Sequence, residues 1–183
     1  MTPEWFRHQS WGSTVTFQLS SDWANNEFLG FSLCAVIAFR SFSHNLKVKC
    51  TYHFHNKQGD SHDCYFYLYG WYDEKCKDSA CIFVGFDPFL VARKDSTYIF
   101  VGFDSFLVAK KWCLAAKKDY IFSEYNEVSV EFQPEDMQGN FLPLNLFQVV
   151  ECGVRLLHVN DGLEAMFQEK RERFPPGKKR SMI

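Results

Sequence analysis

What this 183-residue sequence lacks narrows it first. No stretch of about 18 apolar residues runs free of charge, so no segment reads as a membrane-spanning helix. The opening MTPEWFRHQ has neither a basic start nor an apolar block, so no signal peptide is visible. Met1, directly before a Trp-rich entry, reads as the cut end of a longer chain. An excess of one charge is also missing. Lys and Arg total 20 against 22 Asp and Glu, a formal net charge of −2, which argues against general nucleic-acid binding. No G-x-S-x-G elbow, phosphate-binding loop or dinucleotide fingerprint occurs. Adjacent carboxylates stand at Asp73/Glu74 and Glu135/Asp136. Each pair lies in a polar stretch, where neighbouring acids are more often solvated charge than an acid/base couple. A paired set of cysteines is absent too: Cys34, Cys50, Cys64, Cys76, Cys81, Cys113 and Cys152 are odd in number and irregular in spacing. Several sit inside apolar runs, where Cys behaves as a small hydrophobe. They read as free thiols of a reducing compartment, hence a cytoplasmic chain, and none is marked as activated.

What is present is aromatic. Aromatics make up 18% of the chain, mostly through 20 Phe, enough buried area to expect a folded domain. The charge is uneven. Gln168–Ile183 carries six basic residues against Glu169 and Glu172, which leaves the rest of the chain acidic. This tail reads as a solvated end, with a nuclear address as the alternative.

The hydrophobic pattern has the period of strands. Ser13–Leu19 alternates, with Val15, Phe17 and Leu19 on one face and Thr14, Thr16 and Gln18 on the other. Phe28–Arg40 is apolar on both faces, as a covered central strand should be. Leu46–His55 alternates again, Asn56–Asp60 (NKQGD) is a turn, and Cys64–Tyr69 is an aromatic strand ended by Gly70. Glu127–Gln133 alternates, and Gln148–His158 reads as a last strand pair interrupted at Gly153. Seven or more short strands between polar turns predict an all-β, two-sheet antiparallel sandwich over 3–160. After it, 161–183 reads as a short helix and basic tail. Asp161-Gly162-Leu163-Glu164 offers a capping box, and Pro175-Pro176-Gly177 stops the helix.

Two constellations invite a chemical reading. Cys50, His53, His55, His62 and Cys64 have zinc's preferred ligand types. Alternation counts against a site, because Cys50 shares a face with Val48 and Tyr52 while His53 and His55 share the other with lysines. No metal, cofactor or catalytic residue is therefore expected. The second signal is the crowd of Tyr65, Tyr67, Tyr69, Trp71 and Tyr72. Such residues anchor protein interfaces, since they bury large area at small entropic cost. Tyr67 or its strand neighbours are expected in the core, with Trp71 and Tyr72 at the surface.

At this point the motifs become recognisable. Pro3-Glu4-Trp5-Phe6, Gly12-Ser13-Thr14-Val15, Trp23-Ala24-Asn25 and Phe28-Leu29-Gly30-Phe31-Ser32-Leu33-Cys34-Ala35-Val36 resemble the opening of the post-LRR domain of plant TIR-type nucleotide-binding leucine-rich-repeat immune receptors. Glu151-Cys152-Gly153-Val154-Arg155 resembles that family's closing strand. The resemblance implies a C-terminal jelly-roll/Ig-like sandwich, in agreement with the strand pattern. It also implies a role: binding a pathogen effector together with the adjoining leucine-rich repeats, after which the receptor oligomerises and its TIR domain cleaves NAD. That activity would belong to a TIR domain, not to this chain, which is expected to be non-enzymatic. Partners are thus an effector protein and the repeats, with no membrane, no specific nucleic acid and a monomeric isolated domain. The alternatives are a structural cap of the repeat array and a carbohydrate-binding sandwich. The family's contact positions define no motif, so the candidate contacts come from loop chemistry: His55, Asn56 and Lys57 in the turn, and Trp71, Tyr72 and Asp73 after Gly70.

One segment, 79–119, departs from the family. Ile82–Ala92 reads IFVGFDPFLVA and Ile99–Ala109 reads IFVGFDSFLVA, differing only at Pro88 and Ser105. The family has one such strand here. Two copies are too few and too closely spaced for a solenoid. The pair reads as a tandem duplication. Leaving Ile, Phe, Val and Leu exposed would cost about 1.5–3 kcal/mol for each side chain. The second copy is therefore expected as an added strand or hairpin, with Pro88 and Ser105 at or near turns.

Overall fold

A computed structural model describes residues 1–25, 27–40, 46–69, 79–87 and 124–158. Among the described residues, eight strands run in chain order: β1 His8–Trp11, β2 Thr14–Gln18, β3 Phe28–Phe39, β4 Leu46–His55, β5 Ser61–Tyr69, β6 Ala80–Asp87, β7 Glu127–Asp136 and β8 Phe147–His158. They form two four-stranded sheets, in the orders β1-β8-β3-β6 and β2-β7-β4-β5, and every pairing is antiparallel. The predicted sandwich is the observed one. The expected helix after Asp161, the second copy, Pro88 and Ser105 lie outside the described residues.

The two sheets differ because their sequences do. In the β2-β7-β4-β5 sheet, strict alternation sends Val15, Phe17, Val48, Cys50, Tyr52, Phe54, Leu68, Val128, Val130 and Phe132 inward, all of them buried. Each such apolar side chain contributes about 1.5–3 kcal/mol by leaving water. The intervening polar residues form a wet outer face. In the other sheet, β3 is covered on both sides, and its twelve residues are buried except half-buried Ala38. Its inner face meets the core through Phe31, Leu33, Ala35, Ile37 and Phe39. Residues of the N-terminal segment cover part of its outer face. The Thr2 amide donates to Glu151 Oε2 at 2.8 Å, and Arg155 Nη1 donates to the Trp5 carbonyl at 3.3 Å.

Gly153 makes that cover possible. A Cβ at this position would lie 2.7 Å from Thr2 Cγ2 and 3.0 Å from Phe6 Cβ. Sequence reading placed a break between two strands at Gly153, and the structure corrects this. β8 runs unbroken through it, and the missing side chain serves close approach rather than a turn. β1 is a second departure: HQSW is too short and too polar to announce a strand, yet it pairs with β8 through His8↔Val154 to Trp11↔Glu151. There His8 stacks on Phe17, with ring centroids 3.9 Å apart.

One end of the sandwich is closed by Trp23. Its indole Nε1 donates to the Tyr125 carbonyl at 3.1 Å, and its ring packs on Phe28 and Phe54. At the open end of β7, Pro134 lies beyond Glu131, the last β7 residue paired with β2, where the absence of an N–H is tolerated.

Candidate recognition surface

The β4–β5 hairpin carries the predicted contacts that can be placed. Its turn is braced from within. The Asp60 amide donates to Asn56 Oδ1 at 2.8 Å, Asn56 Nδ2 donates to Asp60 Oδ2 at 3.0 Å, and Gly59 supplies a φ of 94°. Asn56 is therefore buried and committed to the turn. His55 and Lys57 are exposed on either side of it. Trp71, Tyr72 and Asp73 lie outside the described residues. The last described residue before them, Tyr69, pairs with Lys47, whereas the turn lies beyond His55↔Ser61 at the other end of the same ladder.

Between these ends runs the hairpin's outer face. Ladder pairs Lys47↔Tyr69, Lys49↔Tyr67 and Thr51↔Tyr65 set two lysines beside a row of three tyrosines. Lys47 Nζ stands 4.2 Å from the Tyr67 ring centroid, and Lys49 Nζ stands 5.0 Å from that of Tyr65. Such cation–π contacts hold both partners in place. Beneath them lies Glu135 of β7, whose carboxylate is buried, 3.9 Å from Lys47 and 4.0 Å from Lys49. Burial, and then the Glu135 carboxylate, raise the Tyr67 hydroxyl above its ordinary range and keep it a neutral donor. Tyr65 is 62% exposed and stacks edge-on to Tyr67, and Tyr67 packs on Tyr69. The face is thus an ordered aromatic strip on a rigid sheet.

The expectation that Tyr67 or its neighbours fill the core is met by the neighbours. Leu68 is buried and Phe66 half-buried against the core, while Tyr67 lies on the outer face with Tyr65 and Tyr69. The signal was available in the sequence: Tyr-x-Tyr-x-Tyr has the same period as Lys-x-Lys on β4. A second exposed group was not foreseen. Met137, Phe141 and Leu144 are 48%, 64% and 74% exposed in the β7–β8 connection.

The chemical candidates separate as alternation required. Cys50 is buried in the core, while His53 faces outward with Nδ1 at 2.9 Å from Asp63 Oδ1 and Nε2 at 3.8 Å from Glu131. Among the described residues, no three of His, Cys, Asp and Glu gather as a metal site. Glu135 faces the lysines. Its neighbour Asp136 instead accepts from Gln138 and Asn140 within its own turn, and the Asn140 side chain holds its carboxyl below the usual range. Burial pushes the Cys34 and Cys152 thiols up to about 12, far from a reactive thiolate.

The C-JID domain family matches this chain over residues 1–162. The chain belongs to the C-JID family. This bears out its resemblance to the post-LRR domain of TIR-type plant immune receptors. Relatives of this C-JID domain include three Arabidopsis thaliana proteins. Disease resistance protein RPP2B is 36% identical over 81 residues, covering 42% of this chain and 7% of its own length. Disease resistance-like protein DSC1 is 26% identical over 183 residues, covering 92% of this chain and 13% of its own length. Disease resistance-like protein CSA1 is 41% identical over 61 residues, covering 32% of this chain and 5% of its own length. The C-JID chain therefore corresponds to a small part of these relatives. No solved structure matches it.

Proposed function

We propose that this C-JID domain is the non-catalytic recognition module of an intracellular plant immune receptor. It would bind a pathogen effector together with adjoining leucine-rich repeats and so release the receptor to oligomerise. The observation that carries the reading is the aromatic strip Tyr65-Tyr67-Tyr69, ordered by Lys47, Lys49 and Glu135 and bounded at one end by the exposed His55 and Lys57. Rigid tyrosines beside charged groups are what a protein partner can use at low entropic cost. Domain exchange between receptors of different specificity tests it. Recognition should follow the C-JID domain, and Tyr65→Ala with Tyr67→Ala should weaken effector capture at least tenfold. Recognition that stays with the repeats after exchange would refute the reading.

The capping role has its own support on the opposite sheet. Trp11 is 80% exposed, Ile82 and Val84 are each 49% exposed, and all three lie on the outer face. Trp11 and Ile82 occupy one row through Trp11↔Glu151, Val36↔Glu151 and Val36↔Ile82. That face suits permanent packing against the parent receptor and leaves the hairpin face free. The odd, irregularly spaced cysteines support a cytoplasmic placement as part of this proposal, with the basic tail as a nuclear address in the alternative. Fluorescent fusions with and without 168–183 separate the two.

A further inference from the structure

The edge of β3 imposes three demands on the strand beside it, and β6 meets each with one residue. Phe83 enters the core and stacks toward Phe39, with centroids 6.4 Å apart. Gly85 leaves room for Leu68, because a Cβ there would overlap Leu68 Cδ2. Asp87 accepts the Tyr52 hydroxyl at 2.9 Å across the two sheets. The second copy holds the same residues at the same offsets: Phe100, Gly102 and Asp104. Between them, Ile99, Val101 and Phe103 repeat the residues of Ile82, Val84 and Phe86.

We propose that the β3 edge is a slot for which the chain carries two interchangeable strands, Ala80–Asp87 and Thr97–Asp104. Only one can occupy it at a time, since both would pair with the same β3 residues, Phe31 to Ala38. Exchange transfers 17 residues from the connection after the docked strand to the connection before it. With the first strand docked, residues 70–79 connect from Tyr69 and 88–126 lead on to β7. With the second docked, the connections are 70–96 and 105–126. The change in loop lengths alone favours the first arrangement by about twofold, because closure entropy grows only with the logarithm of length. The docked residues differ at two positions. Ala80, exposed, becomes Thr97, and Cys81, half-buried at the core's margin, becomes Tyr98. The two arrangements thus present different chain lengths beside Tyr69, where the aromatic strip ends. This inference stands apart from the recognition reading, and its test uses no effector.

Equilibrium urea unfolding of the full chain tests it. Phe83→Asp disables only the first strand, so the folding constant should stay within tenfold of the unsubstituted protein. Phe83→Asp with Phe100→Asp disables both and should lower the constant more than a hundredfold, as loss of a core Phe does. If Phe83→Asp alone falls as far as the double variant, or the double variant loses nothing, the slot is not shared. The Phe83→Asp background then locates the second strand. Ala38→Cys with Thr97→Cys should cross-link there on oxidation, since Ala38 pairs with Ala80 in the first arrangement. Absence of that adduct in peptide mapping would overturn the proposal in favour of a strand added elsewhere.

Discussion

The Tyr52 hydroxyl donates to Asp87 Oδ2 at 2.9 Å, and this bond joins the two sheets through the core. Both residues are buried. Burial, followed by the Asp87 charge, raises the Tyr52 hydroxyl well above its ordinary value, so it stays protonated and donating. Tyr52→Phe keeps the ring and deletes one partner of a buried carboxylate. The expected loss is about 1–3 kcal/mol, read from urea unfolding. The effect should not depend on which repeat strand occupies the slot, because each supplies an aspartate at that position.

Gly153 should tolerate no side chain. Gly153→Val places carbon atoms where Thr2 and Phe6 now lie, with first contacts of 2.7 and 3.0 Å. The N-terminal segment must then lift from β8, exposing Cys34 and the Glu151 carboxylate that Thr2 satisfies. Overpacking of this kind costs about 1–3 kcal/mol. Limited proteolysis should cut within residues 1–6 of the variant before it cuts the parent protein.

The buried thiols set an alkaline limit. Cys34 and Cys152 are raised from 9.0 to about 12, by burial first and Glu151 second, and Cys50 and Cys64 are raised as well. In the unfolded chain these thiols ionise near 9, while in the fold they hold their protons. Their contribution is therefore fully present below pH 9 and is lost as pH rises from 9 toward 12. The urea midpoint should be flat on the thiols' account from pH 7 to 8.5 and fall above it. Cys34→Ala with Cys152→Ala should reduce the slope of that fall.

Much of this fold was legible in the sequence because one sheet has a wet face. Alternation in Leu46–His55 placed every residue of β4 on its correct side, and β4's observed bounds are the expected ones. The continuous apolar run of Phe28–Arg40 announced a strand covered on both faces. Local pattern failed where a long-range contact decides. β1 is polar and short, and is held by β8, far away in sequence. Gly153 looked like a break because its reason, the passage of Thr2 and Phe6, lies about 150 residues earlier. The candidate surface was legible in part. His55 and Lys57 are exposed as loop chemistry suggested, but the same chemistry could not show that Asn56 is consumed by its own turn. The tyrosine strip shares its period with Lys-x-Lys on β4, but the period alone does not pair the two strands, and the register Lys49↔Tyr67 is what sets the tyrosines beside the lysines on the outer face.

That register also determines which substitutions can report on recognition. Lys47 and Lys49 look like surface charges, yet they are the cations paired with Glu135, whose side chain is only 3% exposed. Replacing both with Met leaves that carboxylate buried without a cation, at an expected cost of about 1–3 kcal/mol. Either lysine alone should matter less, since the other remains at about the same distance. A loss of binding in the double variant would therefore mix misfolding with contact. Tyr65→Ala avoids this, because Tyr65 is mostly exposed and its removal takes only ring contacts with Tyr67 and Lys49. Its stability should change by less than about 1 kcal/mol. Glu135→Gln in the double-lysine background supplies the control: if the buried charge is the cause, the neutral amide should restore most of the lost stability. Urea unfolding of these five variants checks the assignment before any partner is added. A double-lysine variant as stable as the parent would show that Glu135 does not depend on either lysine.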